Sequence, residues 1–125
     1  MIEKGSSTYL TNRERAWLNR AINLAYLSEM RQHHGAIVVK NNRALGFGVN
    51  THRNSPLIVN GMFEHCSVHA EINADFAASG GDVAGSVMYV ARVNRAGVPR
   101  LSRPCDRCYR HLLAREYKKI VFTDN

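Results

Sequence analysis

Two short fragments constrain this chain more than anything else in it: His69-Ala70-Glu71 and Pro104-Cys105-Asp106-Arg107-Cys108, with 32 residues between Glu71 and Pro104. Each stands where a strand or loop feeds the first turn of a helix, so a fold that uses both must bring two helix N-termini together. Cys105 and Cys108 are three apart and share one face of their helix. The positive end of that helix favours thiolate over thiol. A histidine from a neighbouring helix start completes a set of one nitrogen and two sulfurs, which zinc accepts while keeping a fourth position for water. Mid-helix, Glu71 would point about 200° away from His69. At the first turn, with the metal beyond the helix end, its long carboxylate reaches the water.

The rest of the chain supplies the frame. At 125 residues there is room for one core. A hydrophobic fraction of 45% excludes disorder as the main state. A mean hydropathy of −0.31, with no long apolar run, excludes a membrane span, and no membrane partner is expected. The start of the chain has no apolar segment of the secretory kind. Three cysteines, an odd number, argue against a disulfide framework and for a reducing compartment, the cytoplasm.

Residues 1–10 read as a loose leader. Thr11-x-x-Glu14 is a capping box opening a helix that carries Trp17, Ala21, Leu24 and Ala25 and should end near His33-His34-Gly35. Ala36–Val39 and Ala44–Val49 read as a hairpin about Asn41-Asn42. Residues 51–67 are mostly loop, punctuated by Pro56 and Asn60-Gly61. A second helix is expected from about His69 to Ala78, then a strand over Ser86–Ala91 and a basic loop over 94–103. Pro104 suits the first position of a third helix, and Lys118–Thr123 is a last strand. This order predicts a single domain over 1–125 of the α/β class: a mixed sheet in a three-layer α/β/α arrangement.

The pattern H-x-E…P-C-x-x-C is a recorded signature of zinc deaminases. From about residue 12 to 123 the chain resembles the cytidine deaminase superfamily, and within it the deoxycytidylate-deaminase-like branch. Gly48-Val49-Asn50, after the second hairpin strand, matches as well. The resemblance implies one catalytic Zn²⁺ per chain, held by His69, Cys105 and Cys108, with Glu71 as proton shuttle. Zinc lowers the pKa of a bound water from about 15.7 toward about 7. Glu71 would take a proton from that water, pass it to a ring nitrogen and later protonate the departing amine, which leaves as ammonia. The resemblance also implies that Asn50 contacts the substrate sugar or base and that Ala70 offers backbone contact to the ring. The family carries a fifth strand after the one matched by 119–123, and this chain ends at Asn125. The expectation is a sheet that lacks that strand or has it supplied differently, with homo-oligomerisation left open.

Other residues have blander readings. Cys66 could close the zinc as a fourth ligand, but a closed site has no use for Glu71, so it is read as a small buried or loop thiol. His52 and His65 flank the expected pocket, and His52 is retained as a substrate contact. His33 and His34 read as a helix end, and His111 as an exposed residue rather than a support for the metal ligands. Phe47, Phe63, Tyr89 and Tyr109 are candidates to stack on a base, though core packing suits most of them.

The net charge is +7. Residues 92–115 hold Arg92, Arg95, Arg100, Arg103, Arg107, Arg110 and Arg115 against Asp106 alone, a local excess of +6. That excess is expected at the site mouth, with Arg103 as a substrate contact. It reads as a solvated basic helix face and loop, as a clamp for a monophosphate, or as a track for a nucleic-acid backbone. The leading expectation is hydrolytic deamination of cytosine in a free nucleotide or nucleoside. The same chemistry on single-stranded nucleic acid, as DNA cytosine or tRNA adenosine, is the alternative. A non-catalytic zinc module that binds nucleic acid is the reading from a different class.

Overall fold

The computed structural model describes residues 1–28, 30–52 and 67–124. In chain order the elements are β1 (Ile2–Gly5), α1 (Asn12–Ala25), β2 (His33–Lys40), β3 (Arg43–Val49), β4 (Thr51–His52), β5 (Ser67–Val68), α2 (Ala70–Ala77), β6 (Val87–Val93), β7 (Pro99–Arg100), α3 (Asp106–Ala114) and β8 (Lys119–Phe122).

The main sheet runs β1-β8-β6-β2-β3, with the short β7 added on β6. The β2–β3 hairpin is antiparallel and turns at Asn41 and Asn42, whose φ of 52° and 61° are the left-handed values a tight hairpin turn needs. The β2–β6 ladder is antiparallel, while α3 serves as the crossover between the parallel strands β6 and β8. The sheet is mixed, as expected.

Period-two alternation makes three layers from these strands. Ile37, Val39, Tyr89, Ala91 and Val121 point to one face and pack under Trp17, Leu18 and Ala21 of α1. Ala36, Val38, Met88, Val90, Ile120 and Phe122 point to the other, under Ala70, Ala74 and Ala78 and under Leu112 of α3. Both faces of the central strands are covered, which is why they read as continuous apolar runs. Each fully buried side chain such as Val38 or Leu112 contributes about 1.5–3 kcal/mol of transfer free energy.

Helices approach the sheet closely where glycine permits. A Cβ at Gly46 would lie 2.6 Å from the backbone N of Ala78, and one at Gly48 would lie 2.7 Å from that of Ala74. Those two glycines, on one face of β3, let α2 rest on the strand backbone.

Three expectations fail here. The leader is not loose: β1 pairs in parallel with β8, Gly5 opposite Phe122, and takes the sheet edge beyond β8, so the fifth strand there is supplied differently, from the start of the chain. Asp124 secures the following turn, accepting from Ser6 Oγ at 2.5 Å, Ser7 N at 2.9 Å and Ser7 Oγ at 2.7 Å. The second failure is the end of α1, which stops at Ala25 rather than near His33. The amides of Tyr26, Leu27 and Ser28 turn back to carbonyls three residues earlier, a tightening typical of helix ends. His33, His34 and Gly35 are claimed instead by β2, opposite Val93, Arg92 and Ala91 of β6. Sheet pairing outweighs helical periodicity in that segment. Pro104 is also displaced outward, because Cys105 is the N-cap and α3 begins at Asp106. Among the described residues no helix is long and apolar enough to cross a membrane.

Candidate active site

His69 and Cys105 are the N-cap residues of α2 and α3, with extended backbones (φ, ψ of −71°, 151° and −66°, 167°). Neither side chain caps its own helix, and the two meet between the helix ends. Cys108 follows at the third position of α3, and the three ligand atoms lie within 4.8 Å of one another. Nδ1 of His69 is 3.1 Å from Sγ of Cys108 and 3.7 Å from Sγ of Cys105. A tetrahedral ion with bonds of about 2.0–2.3 Å places such ligand atoms about 3.5 Å apart. The donor set and its spacing therefore fit zinc, with one position left for water.

Glu71 is buried at the first turn of α2, only 5% exposed. Burial pushes its carboxyl above the ordinary carboxylate range, and its side chain hydrogen-bonds to Cys108. Burial also pushes the Cys108 thiol up, with the neighbouring Glu71 and Cys105 acting in the same direction. A divalent cation reverses that balance, because it stabilises the thiolate directly. Cys108 is wholly buried and Cys105 exposed.

A cavity of about 430 Å³ opens beside these groups, lined by His69, Ala70, Glu71 and Cys105 together with Asn50, Arg31 and Arg103. Its volume suits a small-molecule ligand. Asn50 already has internal partners: its Oδ1 accepts from Ser28 Oγ at 2.6 Å and from the His34 amide at 2.9 Å, and its Nδ2 donates to the Gln32 carbonyl at 2.7 Å. Asn50 thus braces the turn between α1 and β2 while facing the cavity. Arg103 also has a partner, Glu3 of β1, at 2.6 Å. Asn73 ties α2 to the end of β3, donating to the Val49 carbonyl at 2.7 Å.

Several expectations need correction. His34 lies in β2 and lines the cavity. Burial, with Arg92 and His69 nearby, pushes its pKa down to about 4, so its imidazole is neutral. His111 is part-buried, and its Nε2 donates to Asp75 at 2.8 Å. Of the seven arginines over 92–115, Arg103 lines the cavity and Arg115 turns to Asp75, while Arg95, Arg100, Arg107 and Arg110 are exposed. Arg31 adds cationic lining from outside that segment. Tyr89 is core, Phe47 is 63% exposed on β3, and Tyr109 packs against the core. His65, Cys66, Phe63 and the side chain of His52 lie outside the described residues. Met30, Arg31, Gln32, His34, Leu101 and Ser102 line the cavity unanticipated. The first four escaped because the helix was carried too far, which put them on a solvated helix end.

A sheet covered on both faces, with a His/Cys/Cys trio across two helix N-termini and a buried glutamate beside it, defines a zinc-dependent deaminase. The model of the cytidine and deoxycytidylate deaminase zinc-binding region matches residues 11–124, and the chain belongs to that family. Among solved structures it is similar to the dCMP deaminase of the cyanophage S-TIM5 in its apo form, with 23% identity, a TM-score of 0.70, and coverage of 94% of this chain and 87% of that one. The same phage enzyme in complex with dCMP and dUMP gives a TM-score of 0.68 at 23% identity, covering 94% of this chain and 86% of that one. A cytidine deaminase from Mycobacterium tuberculosis is 20% identical, with a TM-score of 0.54 over 84% of this chain and 80% of its own. At these identities the likeness concerns the fold. No curated protein matches the chain in sequence.

Proposed function

We propose that the protein deaminates cytosine in a free nucleotide or nucleoside, a pyrimidine monophosphate of the deoxycytidylate kind foremost, with His69, Cys105 and Cys108 holding one zinc ion. The observation that carries this reading is the cavity itself, where His69 and Cys105 of the metal trio and buried Glu71 share about 430 Å³ with two arginines, Arg31 and Arg103. The structures of a phage dCMP deaminase, one of them in complex with dCMP and dUMP, support the choice of substrate class. Zinc, when bound, supplies a Lewis acid that lowers the pKa of a water toward about 7.

Glu71 does the proton work. Its carboxylate accepts a proton from the attacking water and delivers it to the ring nitrogen next to the carbon under attack, C4 of cytosine. It then takes the remaining proton from the hydroxyl now bonded to C4 and gives it to the amino group, so that the C4 carbonyl forms as the C–N bond breaks and ammonia leaves. Burial suits it to this, since a carboxylate whose pKa is raised takes up a proton more readily than an ordinary one and can still return it. Ala70, fully buried in the wall, offers backbone groups to the ring. Asn50 meets the sugar or base, and Arg31 and Arg103 meet an anionic group. Free thiols at Cys105 and Cys108 suit a reducing compartment such as the cytoplasm.

A second reading, the same reaction on single-stranded nucleic acid, draws support from exposed Arg95 and Arg100, close in sequence to Leu101, which lines the cavity and is 51% exposed. A panel of nucleosides, monophosphates, single-stranded oligonucleotides and a tRNA stem-loop, read by mass spectrometry, separates the two. Turnover of free monophosphate with little salt dependence supports the first reading. Turnover confined to polynucleotide, weakening steeply with salt, supports the second. Glu71→Ala should abolish turnover while zinc content stays near one per chain, and retained activity would overturn the mechanism.

A further inference from the structure

The two helices that carry the candidate site are joined a second time, one turn below it. Asp75 follows Glu71 by four residues on α2, and His111 follows Cys108 by three on α3, so each lies under its partner on one helix face. Asp75 is 5% exposed. Its carboxylate accepts from Nε2 of His111 at 2.8 Å, from Nε of Arg115 at 3.0 and 3.2 Å, and from the hydroxyl of Tyr117 at 2.5 Å. Burial opposes a charge there, but the hydrogen bonds from His111 and Tyr117 and the Arg115 guanidinium outweigh it and hold the carboxyl below its ordinary range.

None of these four residues lines the cavity, so the mechanism uses none of them. All three donors come from α3 and the turn after it, while the acceptor comes from α2. The contact therefore bridges the helix with His69 and Glu71 to the helix with Cys105 and Cys108. A buried ion cluster is a poor source of net stability, because desolvation offsets attraction, and a defined geometry is its better-attested contribution. These helices have eight and nine residues, and the site spans their first turns. A small tilt of one against the other would move Glu71 relative to both thiols.

We propose that Asp75 is a positioning residue: through His111, Arg115 and Tyr117 it fixes α2 against α3 and so sets the distance from Glu71 and His69 to Cys105 and Cys108. The proposal rests on those four residues being the catalytic metal site. Displacements of about 1 Å far from the chemistry can cost about a hundredfold in rate, and loss of an outer support typically costs about 10–100-fold in metal affinity or activity.

The test loads the purified protein with Co²⁺, whose visible absorption reports thiolate ligation and coordination geometry without any substrate. In Asp75→Asn and His111→Gln the cobalt bands should shift, Co²⁺ affinity should fall about tenfold, and kcat of the zinc-loaded protein should fall about tenfold with KM within about twofold. Val39→Ala, in the core under α1 on the opposite face of the sheet, serves as the control. It should lower Tm without moving the bands or kcat. If Asp75→Asn fails to fold, Tyr117→Phe and His111→Gln, each deleting one donor, carry the comparison. Wild-type bands and wild-type kcat in variants that only lose Tm would overturn the positioning role. Absence of thiolate–cobalt bands in the wild type would overturn the ligand set beneath it, a distinguishable failure.

Discussion

Nε of Arg103 lies 2.6 Å from Oε1 of Glu3, which joins the first strand of the chain to a residue two positions before Cys105 in the cavity wall. The guanidinium also lies over the Tyr109 ring, 5.9 Å from its centroid. The pair is half-exposed, so it adds little to stability and its variants should fold as the wild type does. Its consequence is for the substrate, because Glu3 competes with any anion for Arg103. Arg103→Ala should raise KM for a 5′-monophosphate about tenfold and leave KM for the nucleoside unchanged. Glu3→Gln should lower KM for the monophosphate by about threefold, since it removes the competitor. Steady-state kinetics on both substrates checks this. Equal effects on nucleotide and nucleoside would assign Arg103 to the strand alone.

The seating of α2 on β3 gives a second expectation. Added Cβ atoms at Gly46 and Gly48 meet backbone, at 2.6 Å from Ala78 N and 2.7 Å from Ala74 N, and backbone cannot rotate away as a side chain can. Gly46→Ala and Gly48→Ala should each cost about 1–3 kcal/mol, measured by urea unfolding. Gly48→Ala should also lower kcat, because it lifts the helix that carries His69 and Glu71. An alanine variant at either position with wild-type stability would mean that the helix lies farther from the strand than the structure places it.

Where the sequence was readable and where it was not follows from which forces are local. The capping box at Thr11 and Glu14, the Asn41-Asn42 turn and the apolar runs of the central strands are set by neighbours in sequence, and each forms as expected. Both metal fragments were readable for the same reason: each is a helix start, and spacing alone places its donors. β1 was not readable. Ile2-Glu3-Lys4-Gly5 has one apolar side chain, itself 58% exposed, and becomes a strand only because β8 offers an unpaired edge. The end of α1 was missed because helical spacing continues past Ala25. What stops the helix is Ser28, Gln32 and His34 bonding to Asn50, a residue on the far side of the hairpin.

Glu14 carries a pH dependence of folding. It accepts from the Thr11 amide at 2.9 Å, Lys4 at 3.2 Å and Lys119 at 2.9 Å, tying α1 to β1 and β8. Burial opposes its charge, but the bonds from Thr11, Lys119 and Lys4 bring its pKa down to about 2 from an ordinary 4.5. A carboxylate depressed in the folded state contributes stability above its unfolded pKa and loses it as pH falls through the folded one. The contribution is therefore full above about pH 4.5 and gone below about pH 2. Because both lysines are partly exposed, it is discounted to on the order of 1–2 kcal/mol. Glu14→Gln should lose that amount at pH 7 and show a flatter acid limb in denaturant titrations between pH 5 and 2. An unchanged acid limb would place the pH dependence elsewhere.

The last expectation concerns the two thiols that differ in access. Cys105 is exposed and Cys108 wholly buried. Burial also raises the Cys108 pKa, so without metal it stays a protonated thiol at pH 8, a poor nucleophile. In metal-free protein an alkylating reagent should therefore modify Cys105 first, with Cys108 slower by about tenfold or more. Zinc draws both sulfurs into coordination and should slow alkylation at Cys105, even though its side chain remains accessible to solvent. Peptide mapping after timed alkylation, with and without zinc, assigns each site and separates Cys66 from the pair. Protection of Cys105 by zinc, lost in His69→Ala, would show that histidine and thiol bind the same ion. Equal alkylation rates at Cys105 with and without zinc would mean that this cysteine is not a ligand.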